Sequence, residues 1–90
     1  TRVFFTNLGQ EEQAAALGLL RELRDAGVAA EIYPDCGKMK KQMEYANRRG
    51  IPYVVIVGSQ ELEAKAATVK DMRSGEQRQV PFGELTAYFK

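Results

Sequence analysis

Lys38, Lys40, Lys41 and Gln42 fall within five consecutive positions at the start of an amphipathic stretch. Three ammonium groups and an amide at that spacing can hold phosphates or the polar edge of a base. If the stretch is helical, its lysines oppose the positive end of the helix dipole, an arrangement unfavourable by about a few tenths of a kcal/mol each. An earlier amphipathic stretch in the same chain opens instead with Glu11 and Glu12, which that dipole favours. The contrast points to anion contact, with an ordinary solvated helix face as the competing explanation. A second set comprises Glu61, Lys70, Glu76, Gln77 and Arg78. Thr68, Lys70 and Met72 alternate onto one face of a strand. Carboxylate and amide groups beside a sheet can read the Watson–Crick edges of unpaired bases while lysines hold phosphates. A hairpin kept polar for solubility has the same composition.

Most catalytic chemistry is excluded. The 90 residues contain one cysteine, Cys36, and no histidine. A disulfide within the chain, a cysteine metal cluster, a Ser-His-Asp triad and a histidine metal site are therefore absent. Neither phosphate loop, G-x-x-x-x-G-K-[ST] or G-x-G-x-x-G, occurs. Asp35 after a strand resembles a phospho-acceptor position but has no acidic neighbour for Mg²⁺, and Cys36 has no resolving partner. These residues predict no catalytic group, no metal and no cofactor within the chain, and they suit a reducing cytoplasm. No apolar run approaches the ~20 residues of a membrane span, and no signal peptide is visible. A start at Thr1 rather than Met predicts a processed chain or a fragment of a larger one.

The net charge of +1 conceals an uneven distribution. Residues 1–34 carry three basic and five acidic groups, residues 35–50 five and two, and residues 51–90 five of each. The excess positive charge thus sits around the lysine cluster.

The elements that must position these groups follow from apolar periodicity. Residues 2–6 read as a first strand and residues 10–26 as a helix, with Ala16, Leu19, Leu20 and Leu23 on one face and Gly27 as its stop. Residues 28–33 read as a weakly alternating strand near the sheet edge. After a loop over 34–37, residues 38–49 form a second helix with Met39, Met43 and Ala46 as its buried stripe. Residues 53–57 are continuously apolar, as in a central strand covered on both faces. Ser59 is expected to cap a short helical turn over 60–63. Residues 67–72 and 76–80 read as a hairpin turning at Arg73-Ser74-Gly75. Pro81 is expected to open a last helix carrying Phe82, Leu85 and Phe89. The pattern predicts a single three-layer α/β/α domain over 1–90. Its mixed five-stranded sheet has order 2-1-3-4-5, with strand four antiparallel and helices on both faces. Ligands of such sheets gather at the carboxyl ends of the strands.

Several ordered motifs together resemble a known family. They are Gly37-Lys-Met-Lys-Lys-Gln-Met-Glu-Tyr-Ala-Asn-Arg-Arg-Gly-Ile-Pro-Tyr-Val-Val-Ile-Val-Gly58, Glu61-Leu62, Val69-Lys70-Asp71-Met72 and Ser74-Gly75-Glu76-Gln77. The chain is similar along nearly its whole length to the C-terminal anticodon-binding domains of class II aminoacyl-tRNA synthetases, and most of all to those of the histidyl enzymes. The resemblance implies a module that holds the anticodon loop of tRNA(His) while a catalytic domain of the same chain, using ATP and Mg, joins histidine to the tRNA in a homodimeric cytoplasmic ligase. It implies RNA contacts from Glu61 to an anticodon base, from Lys70 on its strand, from Lys38, Lys41 and Gln42 at the helix start, and from Gln77 and Arg78 in the hairpin. Two other readings stay open. One is a synthetase-like paralogue with a regulatory or accessory nucleic-acid-binding role, and the other is an unrelated signalling or redox α/β domain.

Overall fold

The computed structural model, which describes residues 2–34 and 37–89, alternates strand and helix. The order is β1 (Val3–Phe5), α1 (Gln10–Asp25), β2 (Ala30–Ile32), α2 (Met39–Arg48), β3 (Tyr53–Ile56), α3 (Ser59–Ala64), β4 (Ala66–Asp71), β5 (Gln77–Pro81) and α4 (Leu85–Phe89). The sheet order is β2-β1-β3-β4-β5. β1 pairs in parallel with β2 and β3, while β4 runs antiparallel to both β3 and β5. This is the predicted topology, with the weakly alternating β2 at one edge.

Period-two alternation in the strands divides the core in two. Val3, Phe5, Val55, Val57, Ala67, Val69 and Val80 face one side, where Ala16, Leu19, Leu20 and Leu23 of α1 and Leu85 and Phe89 of α4 pack on them. Phe4 and Val54 face the other side, where they meet Ala46 of α2 and Ile51. Thus β3 is buried on both faces, as its unbroken apolar run requires. α2 alone serves the second face, and its cluster is extended by the half-buried Tyr33, Met43, Tyr45, Ile56 and Met72. Among the described residues, no helix is long and apolar enough to cross a membrane.

Several boundaries differ from the sequence expectation. β2 shrinks to three residues: the Val28 N–H donates to the Leu23 carbonyl at 2.9 Å, closing the turn from α1, and the ladder with β1 starts at Ala30. Pro81 ends β5 instead of opening a helix; it sits on an edge strand, which tolerates its missing N–H, and a 3₁₀ turn at Phe82–Glu84 precedes α4. The buried stripe of α2 is Gln42 and Ala46, with Met39 and Met43 only half-buried. The hairpin turn forms as expected. Gly75 adopts φ 80°, and the Asp71 carboxylate accepts from the N–H groups of Arg73 and Ser74 at 2.9 and 3.3 Å.

The α1 contact dominates the larger core. Leu23→Ala, at a position with no exposure, is expected to lower unfolding free energy by about 2–5 kcal/mol in urea titration. Leu17→Ala on the same helix, 41% exposed, should change it by less than about 0.5 kcal/mol.

Candidate nucleic-acid interface

The lysine-bearing start of α2 is held by a residue expected on the surface. Gln42, predicted beside Lys38 and Lys41 as an RNA contact, is fully buried. Its Oε1 accepts from the Asn7 N–H at 2.7 Å, and its Nε2 donates to the carbonyls of Asn7 at 2.8 Å and Gly37 at 3.0 Å. Asn7 is itself buried, and its Nδ2 donates to the Tyr33 carbonyl at 3.1 Å. One amide therefore joins the segments that follow β1 and β2 to the first turn of α2. In this arrangement the Gln42 amide is engaged within the fold, and it positions the helix turn that carries Lys38, Lys40 and Lys41. Helical spacing explains the change of role, since Gln42 lies one turn before the buried Ala46. The first turn it anchors has no acid and no side-chain cap at Lys38. Gly37, Lys38, Lys40, Lys41 and Glu44 line a concavity of about 530 Å³ across its outer surface.

The second group assembles around Glu61, in the first turn of α3 where the dipole favours an acid. Its Oε1 accepts from the Gly58 N–H at 2.8 Å, and its Oε2 accepts from the Thr68 hydroxyl at 3.2 Å. A Cβ at position 58 would lie 2.9 Å from that Oε1, so glycine permits the close approach. The helix cap is thus Gly58 with Glu61 folded back on it, and the expected cap, Ser59, is the first helical residue.

Strand register decides which neighbours share the Glu61 side. Thr68 stands opposite Ile56 and Gln79, and Lys70 opposite Val54 and Gln77. Because Val54 packs under α2, these side chains belong to the α2 face of the sheet. α2 covers Phe4 and Val54 but not the β4-β5 end, where Thr68 and Lys70 are half-buried and Gln77 and Gln79 exposed. The result is an open polar half-face with the Glu61 carboxylate at its border.

Arg78 does not belong to it. It pairs with Val69, which lies in the α1–α4 core, and it lines a separate concavity with Glu84, Ala87 and Tyr88. Gln77 and Arg78 are consecutive on one strand, so alternation sends them to opposite faces. Glu61, Lys70 and Gln77 border or lie on the open half-face, whereas Lys38 and Lys41 stand apart from it, exposed at the start of α2. Sequence reasoning missed Gln79, whose signal was its register with Thr68, and Asn7, a polar residue ending a buried strand. Asp35 and Cys36 lie outside the described residues.

Residues 2–90 match the family model described as "Anticodon binding domain". The chain is 50% identical over all its length to a histidine–tRNA ligase of Phocaeicola vulgatus and 49% identical over 94% of its length to one of Bacteroides fragilis. It spans about a fifth of these curated relatives, 20% and 19%. The crystal structure of histidyl-tRNA synthetase from Nostoc sp. PCC 7120 superposes over 98% of this chain and 21% of that one, with a TM-score of 0.92 at 30% identity.

Gln42→Leu removes an acceptor and two donations from a buried site, and each group left unpaired costs about 1–3 kcal/mol. Gln42→Glu keeps the acceptor for Asn7 N–H but sets a buried carboxylate against two carbonyl oxygens. Such an environment raises the folded-state pKa above the ~4.3 of a free glutamate. Its stability deficit relative to the parent should therefore be smallest below pH ~4 and widen as pH rises towards neutrality. Urea titration between pH 4 and 7 checks this; a deficit independent of pH contradicts the assigned donor and acceptor pattern.

Proposed function

The chain belongs to the anticodon-binding-domain family, and from that premise we propose that it is the tRNA-recognition module of a histidine–tRNA ligase. The observation that carries the reading is the Glu61 carboxylate, held by Gly58 and Thr68 at the border of an open polar half-sheet. The identity of about half its residues to named histidine–tRNA ligases supports the amino-acid assignment. A synthetase-like paralogue with a regulatory or accessory role is not favoured, since those relatives are named as ligases.

In this reading the unpaired anticodon bases of tRNA(His) splay onto the open half-face. A carboxylate is acceptor-only, so Glu61 selects a base edge that presents N–H groups. Lys70 and Gln77, side by side on that face, supply a cation for phosphate and an amide able to donate and accept. Lys38 and Lys41 contribute phosphate contacts that carry no sequence information. Catalysis, with its ATP and Mg, belongs to a catalytic domain of the parent chain, and the parent works in the cytoplasm as a homodimer. Two linked contacts on one tRNA, at its anticodon and at its acceptor end, raise the effective concentration of each.

The test is fluorescence anisotropy with an anticodon stem-loop carrying GUG and one with a scrambled triplet. The GUG loop should bind more tightly, and Glu61→Ala should remove roughly 1–3 kcal/mol of that preference. Equal loss on both loops would reduce Glu61 to its role as cap of α3. Lys38→Ala and Lys41→Ala should weaken both loops alike and lower the salt slope by about 0.7 each. If the unsubstituted chain binds both loops equally, the anticodon reading fails. In the parent enzyme, deleting this module should depress tRNA charging far more than ATP-dependent activation of histidine. Equal collapse of both would make it a structural support.

A further inference from the structure

The flank of α2 turned away from the open half-sheet carries a second arrangement, which shares Lys41 with the proposed phosphate contacts and continues past it to Tyr33, Tyr45 and Arg48. Which flank this is follows from two contacts. Tyr45 packs edge-to-face on Tyr33, just beyond β2, at 5.4 Å between ring centroids, and Arg49 approaches Glu31 of β2 at 4.0 Å. Lys38, Lys41, Tyr45 and Arg48 fall at i, i+3, i+7 and i+10, along one stripe of the helix. The stripe runs about 15 Å from Lys38 to Arg48. Beyond the concavity at the helix start lies a second one of about 140 Å³, lined by Tyr33, Lys41, Glu44, Tyr45 and Arg48. Lys41 and Glu44 line both.

The cations of this stripe are uncommitted. Among the described residues, the one ion pair within 4.0 Å is that of Arg49 with Glu31. Glu44 shares both concavities with Lys41 but pairs with neither Lys41 nor Arg48. Arg49 also donates to the Tyr45 hydroxyl at 2.6 Å and lies 5.5 Å from the centroid of its ring, which holds that ring against Tyr33. Tyr33 and Tyr45 are in turn braced on the buried Phe4, at 6.1 and 5.4 Å between centroids. Two braced, half-buried aromatic rings beside two unpaired cations match the composition of a single-strand nucleic-acid subsite: a surface for stacking a base and charges for its phosphates. A protein partner of acidic character would use the cations but not the rings.

We infer that this flank of α2 is a second RNA track. It takes a nucleotide outside the triplet, its base on Tyr33 and Tyr45 and its phosphates on Lys41 and Arg48, so that the strand passes over the start of α2 and is gripped on both sides. The inference rests on the anticodon reading for the identity of the RNA, and it adds Tyr33, Tyr45 and Arg48 as contacts.

The experiment compares three probes on the 90-residue chain: the GUG stem-loop, the scrambled stem-loop and the bare trinucleotide GUG. Arg48→Ala should weaken both stem-loops by roughly 3- to 10-fold and lower their salt slope by about 0.7, leaving the trinucleotide unaffected. Tyr33→Leu should weaken both stem-loops by about 5- to 100-fold with an unchanged slope, as loss of one stacked base predicts. Arg21→Ala, on exposed α1 surface, controls for net charge and should have no effect. Thermal melts check that Tyr33→Leu folds; if it does not, the variant at the exposed Arg48 decides the outcome. Parent-like binding of both stem-loops by Arg48→Ala overturns the track, while a retained GUG preference leaves the anticodon reading standing. Loss of stem-loop affinity in Arg48→Ala by a chain that does not distinguish triplets refutes that reading and keeps the track. Loss of trinucleotide affinity equal to stem-loop affinity places Arg48 in the triplet site and overturns the track, as does a chain that binds no RNA.

Discussion

A single buried amide determines where the basic surface of this domain lies. The start of α2 has little apolar surface of its own to bury, and its lysines are set against the helix dipole. What roots it is Gln42, whose three hydrogen bonds reach Asn7 and Gly37. Because the partners are main-chain groups, the amide fixes the backbone path after β1 as well as the height and rotation of the helix above the sheet. A fully satisfied buried polar group costs little, whereas a half-satisfied one is expensive, so the site tolerates one geometry and resists its neighbours. The direction of Lys38, Lys40 and Lys41 is a consequence of that geometry.

The second constraint is the unequal dressing of the sheet. On the α1 side, Ala67, Val69 and Val80 continue the core to the β5 edge. On the other side, among the described residues, α2 is the helix that packs on the apolar cluster, and its cover stops short of β4 and β5. The strands answer with alternation: Thr68, Lys70, Gln77 and Gln79 face outward where Ala67, Val69 and Val80 face inward. A sheet half left open needs polar side chains for solubility. The Glu61 carboxylate, fixed between Gly58 and Thr68, turns such a surface into one with a preorganised acceptor at its edge. Core and open surface thus meet in β4, whose alternate residues belong to one and to the other.

The architecture was legible in the residues because it rests on short-range periodicity. The spacing of Ala16, Leu19, Leu20 and Leu23 marks α1, the unbroken run at β3 marks a strand buried on both sides, and Gly75 marks the hairpin. Right-handed crossovers then restrict the order of the parallel strands. The separation of Gln77 from Arg78 was also available from period-two alternation, and grouping them overlooked it. The limits of the short elements were harder to read, because β2 and α4 are held by contacts with α1 and not by any strong pattern of their own.

By itself, the sequence determined the element order, the core face of α1, the placement of positive charge around α2 and the exclusion of histidine- and disulfide-based chemistry. Only the tertiary structure decided that Gln42 is a buried anchor while Lys38 and Lys41 remain outside, and that Tyr33, from the segment after β2, stands beside Tyr45 of α2. A run such as Lys-Lys-Gln is polar throughout, and residue type cannot say which member turns inward. That depends on whether main-chain groups 35 positions away, at Asn7, arrive at hydrogen-bonding distance. Periodicity is a property of neighbours in the chain, whereas satisfying a buried polar group depends on segments brought together by the sheet.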